Sequence, residues 1–423
     1  MTPTSIMEVR LPITPEWIDE LTTRMEENTH GGKPRMLSRI VDAREAERLM
    51  TCATRVLKRE KTLTRLTMEE GVEECIVVGD THGQYHDVLK LFEIAGKPDE
   101  TRTYVFNGDF VDRGAWGVEL FFTLIAHKVS SPDRVILLRG NHETEFCTEC
   151  YGFERELKVK YGNTMGRKLY PLFLEVCSHM PLACLLNERT LILHGGLFRS
   201  PSLSKREARE NPKLGTLHDL EKASKGGADP MGEGRSMIAG DVLWSDPILE
   251  DGLRQNVNRG IGIQFGPAQT REFMERENLK LIIRSHEGPD ARHDRPEMPS
   301  IMEGFCVDHD CGEVGKLCTL FSAPNYPQFI DVDDERHNNR AAFVTLRPAT
   351  SWCAPEPTSF DFVPRPPSQC YYDLDCGGSD CEGPESDIRP HEPLHIDVGE
   401  GDERERWTED EMSHRLKLNH DAT

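Results

Sequence analysis

Ile76-Val77-Val78-Gly79-Asp80-Thr81-His82-Gly83-Gln84 holds in one short stretch a pattern that recurs along this chain. A β-branched apolar run of strand length gives way at once to a glycine-containing polar turn. Tyr104-Val105-Phe106 leads in the same way into Gly108-Asp109-Phe110-Val111-Asp112-Arg113-Gly114. Val135-Ile136-Leu137-Leu138 leads into Arg139-Gly140-Asn141-His142-Glu143, Leu191-Ile192-Leu193 into His194-Gly195-Gly196, and Leu281-Ile282-Ile283 into Arg284-Ser285-His286-Glu287. Stretches of helical character lie between several of these runs, at 86–95, 117–128 and 170–177. Such alternation predicts an α/β fold with helices on the faces of central sheets. Thr319-Leu-Phe-Ser322 and Ala342-Phe-Val-Thr-Leu346 read as late strands that close this core.

Upstream, residues 1–70 read as a helical lead-in. One segment starts at Pro15, and a second spans 42–60, where Ala46, Leu49, Met50, Ala53, Val56 and Leu57 fall at helical spacing. Gly31-Gly32-Lys33-Pro34 separates the two as a loop. Residues 201–240, rich in Gly, Lys, Arg and Glu, read as a surface excursion. Beyond 346 the chain turns Pro-rich and then acidic. The stretch 349–423 holds 18 acidic and 6 basic residues, so −12 of the formal −22 lies there. With few apolar groups to offset chain ordering, this tail is expected to lack a fixed fold. It can be an intramolecular inhibitor that mimics phosphate or a solvated extension, and its composition favours the latter.

The strong negative balance excludes a broad nucleic-acid footprint, which needs clustered Lys and Arg. No apolar run is long enough to span a bilayer, so no membrane partner is expected. Thirteen cysteines in 423 residues, behind a start without a signal-peptide pattern, imply a reduced intracellular compartment, nuclear or cytoplasmic. Cys147-Thr-Glu-Cys150 has no second pair at zinc-site spacing and reads as structural or free thiols, and Cys370, Cys376 and Cys381 read as exposed thiols of the tail.

The polar residues at the strand ends are the chemical signal, because functional groups of open α/β sheets collect at strand carboxyl ends. Asp80 and His82, two apart in a turn, can face one ion, and Asp109 is suited to bridge two. Asn141, His194 and His286 would complete the shell of the second. Mixed oxygen and imidazole ligands suit Fe, Zn or Mn rather than Ca. Two such ions about 3.5–4 Å apart bind phosphoryl oxygens and acidify an attacking water. A single Asp-x-His after a strand is ordinarily a satisfied turn; five such blocks in order are not.

Taken together, these blocks resemble the phosphoprotein phosphatase family of metal-dependent serine/threonine phosphatases over about residues 36–348. Finer features resemble its plant-type protein phosphatase 7 branch: Asp112-Arg113-Gly114-Ala115-Trp116-Gly117, His194-Gly195-Gly196-Leu197-Phe198-Arg199-Ser200-Pro201, and Tyr326-Pro327-Gln328-Phe329. The resemblance implies a metallophosphoesterase-like central β-sandwich flanked by helices, with a dimetal site at strand carboxyl ends. It divides the chain into a lead-in at 1–35, a catalytic domain at 36–348 and a tail at 349–423.

The resemblance further implies that Asp80, His82 and Asp109 hold one metal and that Asn141, His194 and His286 hold the other, the pair being Mn or Fe/Zn. His142, oriented by Asp112, is implied as the general acid. Arg113 and Arg259 are implied to grip phosphoryl oxygens, with Tyr326 at the rim of the site. The implied partners are phosphoprotein substrates. Calmodulin is a minor candidate, because the region that can carry a basic insert in this branch is short here, with Lys205-Arg206-Glu207-Ala208-Arg209 its only basic cluster. Two other readings stand beside this one: a dimetal phosphoesterase acting on nucleotides or dinucleotides, and a dead scaffold. Every expected position is filled, which speaks against the scaffold. Arg259 and Ser322-Ala323-Pro324-Asn325-Tyr326 speak for protein substrates. Arg139 and Glu143 are assigned as structural partners.

Overall fold

Alternate side chains of a strand point to opposite faces, and Glu74–Val78 (β2) buries both. Cys75 and Val77 enter a layer between two sheets, whereas Ile76 and Val78 meet a layer of helices. The computed structural model, which describes residues 6–329, 336–368 and 370–371, extends this division across the molecule. A five-stranded sheet runs in the order β14 (Glu356–Phe360), β13 (Ala341–Leu346), β2, β3 (Arg102–Phe106), β4 (Val135–Leu137). Within it β2, β3 and β4 are parallel and β13 is antiparallel to β2. A six-stranded sheet runs β1 (Leu63–Leu66), β5 (Ala183–Leu186), β6 (Thr190–Leu193), β10 (Leu281–Arg284), β12 (Lys316–Leu320), β11 (Phe305–Asp310), with β6, β10 and β12 parallel. A small sheet of β7 (Asp246–Pro247), β9 (Ile263–Phe265) and β8 (Leu253–Gln255) stands beside them.

Val77, Val105 and Ile136 of one large sheet pack against Cys184, Ile192, Ile283 and Cys318 of the other. The outer face of the five-stranded sheet is covered by Pro15–His30, Ala43–Leu57, Gly117–Ser130 and Asn163–Ser178. The outer face of the six-stranded sheet is covered by Met237–Trp244 and Pro267–Glu277. The result is the expected β-sandwich with helices on both sides. Strands buried on both faces read as unbroken apolar runs, which is how they stand in the sequence.

The N-terminal helices belong to this core. Asp42 caps Ala43–Leu57 by accepting from the Glu45 amide (2.9 Å), and Ala46, Leu49, Met50, Ala53 and Leu57 form its buried stripe. The excursion at 201–240 is also tied down. Leu217 and Leu220 are buried, and Arg139 donates to the carbonyls of Lys225 (3.1 Å), Gly227 (2.6 Å) and Ala228 (2.8 Å).

The expected end of the core at 348 is corrected for residues 349–368 and 370–371. Trp352 enters the layer between the sheets, β14 pairs with β13, and Tyr371 packs its ring against Phe329 (5.6 Å). Pro-rich composition concealed this because proline is compatible with an edge strand, and Pro357 sits in β14. The remainder of the acidic tail, with Cys376 and Cys381, lies outside the described residues.

Candidate metal centre

Because β2 and β3 are parallel neighbours, the turns leaving their carboxyl ends lie side by side. The amides of Thr81 and His82 both donate to the Asp109 carbonyl (3.0 Å each). These turns require backbone that side chains rarely adopt. His82, Asp109, Asp112, Arg113 and His286 have φ of 43°, 52°, 67°, 62° and 74°. Each such residue costs on the order of 1–2 kcal/mol, so the surroundings must enforce the geometry. Glu143 is the main brace: its buried carboxylate accepts from the amides of Asp109 (2.8 Å), Phe110 (2.8 Å) and Gly140 (2.9 Å). Glycine is obligatory at 108, where φ is +88° and a Cβ would lie 2.4 Å from the Gly140 nitrogen.

The expected ligands converge. His194 donates from Nδ1 to the Asn107 carbonyl (2.8 Å), and its Nε2 stands 2.9 Å from Asn141 Oδ1 and 3.4 Å from Asp109 Oδ2. His286 places Nδ1 2.8 Å from the same Asn141 oxygen, and its amide donates to both oxygens of Asp80 (3.2 and 3.1 Å). His82 donates from Nδ1 to the Val111 carbonyl (3.1 Å) and turns Nε2 toward Asp109 Oδ2 (3.8 Å). Candidate ligand atoms of Asp109, His194 and His286 lie within 4.8 Å of one another, as do those of His82, Asp109 and His142. Asp109 is common to both groups, as a bridging residue must be.

The donor set fits cations. An imidazole that gives its Nδ1 proton to a carbonyl presents a lone pair at Nε2. For His194 that lone pair faces two acceptor oxygens, and acceptors that converge in a buried site are reconciled by a positive ion. Burial, reinforced by the charge of Asp109, pushes Asp80 well above the usual range, whereas against burial the imidazoles of His194 and His142 hold Asp109 well below it. Burial opposes charge on His194, but Asp109 and Asp80 outweigh it and raise the imidazole to about 9. Protons and metal ions compete for such groups.

His142 is buried beside this cluster, but its Nδ1 is bound by Asp112 Oδ2 (2.8 Å), and Asp112 is fixed in turn by the Phe153 amide (2.9 Å). That is the setting of an oriented proton carrier. Arg113 lies over the Tyr151 ring (4.3 Å), and its charge disfavours protonation of His82 and His142. Arg259 is gripped by Asp246 through Nε (2.6 Å), and its charge bears on His286. The two arginines therefore act on different histidines of the cluster. Tyr326 is more enclosed than a rim position suggests, at 3% exposure, with its ring 5.2 Å from His82.

The sequence profile of the calcineurin-like phosphoesterase family matches residues 75–290, which contain all six expected ligands together with His142. Serine/threonine-protein phosphatase 7 of Arabidopsis thaliana is 43% identical over 378 residues, covering 86% of this chain and 91% of that protein. The chain belongs to the calcineurin-like phosphoesterase family. Human serine/threonine-protein phosphatase 5 is 39% identical over 321 residues; the match covers 76% of this chain but 55% of that protein. A solved protein serine/threonine phosphatase from Saccharomyces cerevisiae superposes with a TM-score of 0.65 at 29% identity, over 82% of this chain and 97% of that one.

Other residues of this calcineurin-like phosphoesterase site escaped sequence reasoning. Asp246 holds Arg259, accepts from Asn256 Nδ2 (2.8 Å) and Arg284 (3.1 Å), and lies 3.9 Å from His286 Nε2. Cys147 accepts from Asn141 Nδ2 (3.7 Å), which turns the amide oxygen toward the two histidines. Asn107 joins the sheets, donating to the Leu193 carbonyl and Ser285 Oγ (2.9 Å each).

Proposed function

We propose that this protein is a serine/threonine protein phosphatase that hydrolyses phosphoserine and phosphothreonine monoesters on other proteins. The observation that carries the proposal is the His142–Asp112 pair set directly beside an Asp109-centred cluster of buried ligands. Relatives named as serine/threonine-protein phosphatases match over most of the chain and support this reading above a nucleotide hydrolase. Asp80, His82 and Asp109 would hold one cation, and Asp109, Asn141, His194 and His286 a second, as Mn or an Fe/Zn pair. Once bound, they supply neutralisation of phosphoryl charge and a water acidified for attack.

The chain's own groups do the rest. Arg113 and Arg259 present planar guanidinium forks, held by Tyr151 and Asp246, that suit phosphoryl oxygens. His142, oriented through Nδ1, is placed to deliver a proton from Nε2 to the departing serine or threonine oxygen. The six-residue helix Lys205–Glu210 is too short for the amphipathic face that calmodulin grips, and a pull-down with and without calcium tests that partner. A nuclear or cytosolic address completes the proposal and is tested by imaging tagged protein.

The assay compares phosphothreonine peptide with a dinucleotide and includes metal analysis. We expect peptide hydrolysis to dominate, with two metal ions per chain. His142→Ala should retain the metal and lose activity by about two to four orders of magnitude. Preferential dinucleotide hydrolysis would overturn the assignment.

A further inference from the structure

After β14 the chain stays on the molecule. Residues 361–368 cross the start of the helix Tyr85–Ala95 and the loop that carries Tyr326, and one side chain joins the two. Arg365 donates from one terminal nitrogen to Asp87 Oδ2 (3.1 Å) and the Pro324 carbonyl (2.5 Å), and from the other to the Asn325 carbonyl (3.5 Å). Asp87, 1% exposed, also accepts from the Val363 amide (2.9 Å) and from Gln84 Nε2 (3.0 Å). Gln84 makes a second bond to the Pro324 carbonyl (2.9 Å). Further along, Ser368 Oγ accepts from Gln328 (2.8 Å), which accepts from the Ala115 amide (2.9 Å), two residues past Arg113.

The two carbonyls immediately before Tyr326 are therefore held by a guanidinium from a segment that supplies no ligand. The opposite flank of the loop is held by Asn339, which accepts from the Asn325 amide (2.8 Å, backbone) and the Tyr326 amide (3.0 Å, side chain). Asn325, clamped between them, has φ of 47°, a left-handed backbone that asparagine adopts more readily than most residues.

We propose that Arg365 is a positioning residue for the phosphatase reaction: it fixes Pro324 and Asn325 so that Tyr326 is set against His82. The proposal rests on the function assigned above. A guanidinium can serve a carboxylate and two carbonyls at once; a lysine ammonium keeps the charge but cannot span them.

The test is a double-mutant cycle of Arg365→Lys with Tyr326→Phe, measuring kcat and KM on a phosphothreonine peptide and melting temperature for each protein. Arg365→Lys should lower kcat/KM by about tenfold alone and by less than about twofold in the Tyr326→Phe background, with equal melting shifts in both. The same loss in both backgrounds, or no loss in either, overturns the proposal. If Arg365→Lys does not fold, Asp87→Asn with Arg365→Gln removes both charges together and carries the same comparison. A wild type inactive on the peptide strikes the functional assignment and this proposal with it; an active wild type with additive losses strikes this proposal alone.

Discussion

His142 and Asp112 meet across 2.8 Å with almost no solvent between them. Burial pushes Asp112 well above the usual carboxylate range and His142 well below the usual imidazole range, so it favours the uncharged form of the pair. Asp112→Asn keeps the contact but leaves no carboxylate that can ionise as counter-charge when the ring takes a second proton. We expect kcat to fall by about ten- to a hundredfold, less than on losing His142, and the alkaline limb of the kcat–pH profile to move to lower pH. An unmoved limb would separate Asp112 from the proton transfer. A second histidine gives a pH effect on stability far from the centre. His127 packs beside Phe92, and burial lowers its imidazole from 6.5 to about 4. Its folded form resists protonation that the unfolded chain accepts. Stability is therefore complete above 6.5 and lost as pH falls toward 4, on the order of 3 kcal/mol from this group. His127→Phe should melt with a shallower acid slope than wild type. The proposed ligands stood out in sequence because Asp, Asn and His directly after apolar runs contrast with their neighbours. Asp246 and Cys147 carried no such contrast; their roles exist only through contacts with Arg259 and Asn141. Nor does any composition announce left-handed backbone at His82 or Asp109.

At the scale of elements, the strands legible in sequence were β2, β3, β4, β6, β10, β13 and the end of β12, whose apolar runs are buried and continuous, whereas the equally buried β5 and β9 were missed. Short β1, β7 and β8 and the partly exposed β11 and β14 lack that signature. Asn163–Ser178 was recognised only over its second half, since Gly166 interrupts the helical composition of the first. β14 matters most, because residues assigned to a tail prove to hold the sandwich closed. Trp352 and Phe360 are each buried, and such burial stabilises by about 1.5–3 kcal/mol per side chain. Truncation after residue 348 should therefore lower the melting temperature markedly and reduce activity, whereas truncation after 371 should preserve the melting temperature, as calorimetry can check. Autoinhibition by the acidic tail must accordingly be tested with the cut at 371. Higher activity after that cut would favour an inhibitory tail, and unchanged activity a solvated one.

For the whole molecule, the centre lies where two sheets meet, and the cations proposed there would bind only the folded chain. Ligand binding confined to the folded state raises stability by RT ln(1 + [L]/Kd), about 2.7 kcal/mol at a hundredfold excess over Kd. Chelation should therefore abolish phosphopeptide hydrolysis and also lower the melting temperature, and readdition of Mn should restore both. A chelated protein with unchanged melting would argue against metal at this interface. Central sheets with helical covers were evident from strand alternation, and the sandwich arrangement was implied by the family resemblance. The attachment of residues 6–35, 349–368 and 370–371 to the same core was not evident, because it depends on contacts between distant segments.

The joint between the sheets also bears on how the enzyme is made. The amide of Gly79, next to Asp80, donates to Ser322 Oγ (2.8 Å), a partner 243 positions later, and Asp80 is bridged to Phe321. During synthesis the ribosome therefore releases the first proposed ligand long before its support exists. A nascent chain ending before His286 lacks one ligand of the proposed second cation, and one ending before Phe321 lacks the splint for Asp80. Cation loading then becomes a late step of biogenesis, one that a truncated translation product would skip.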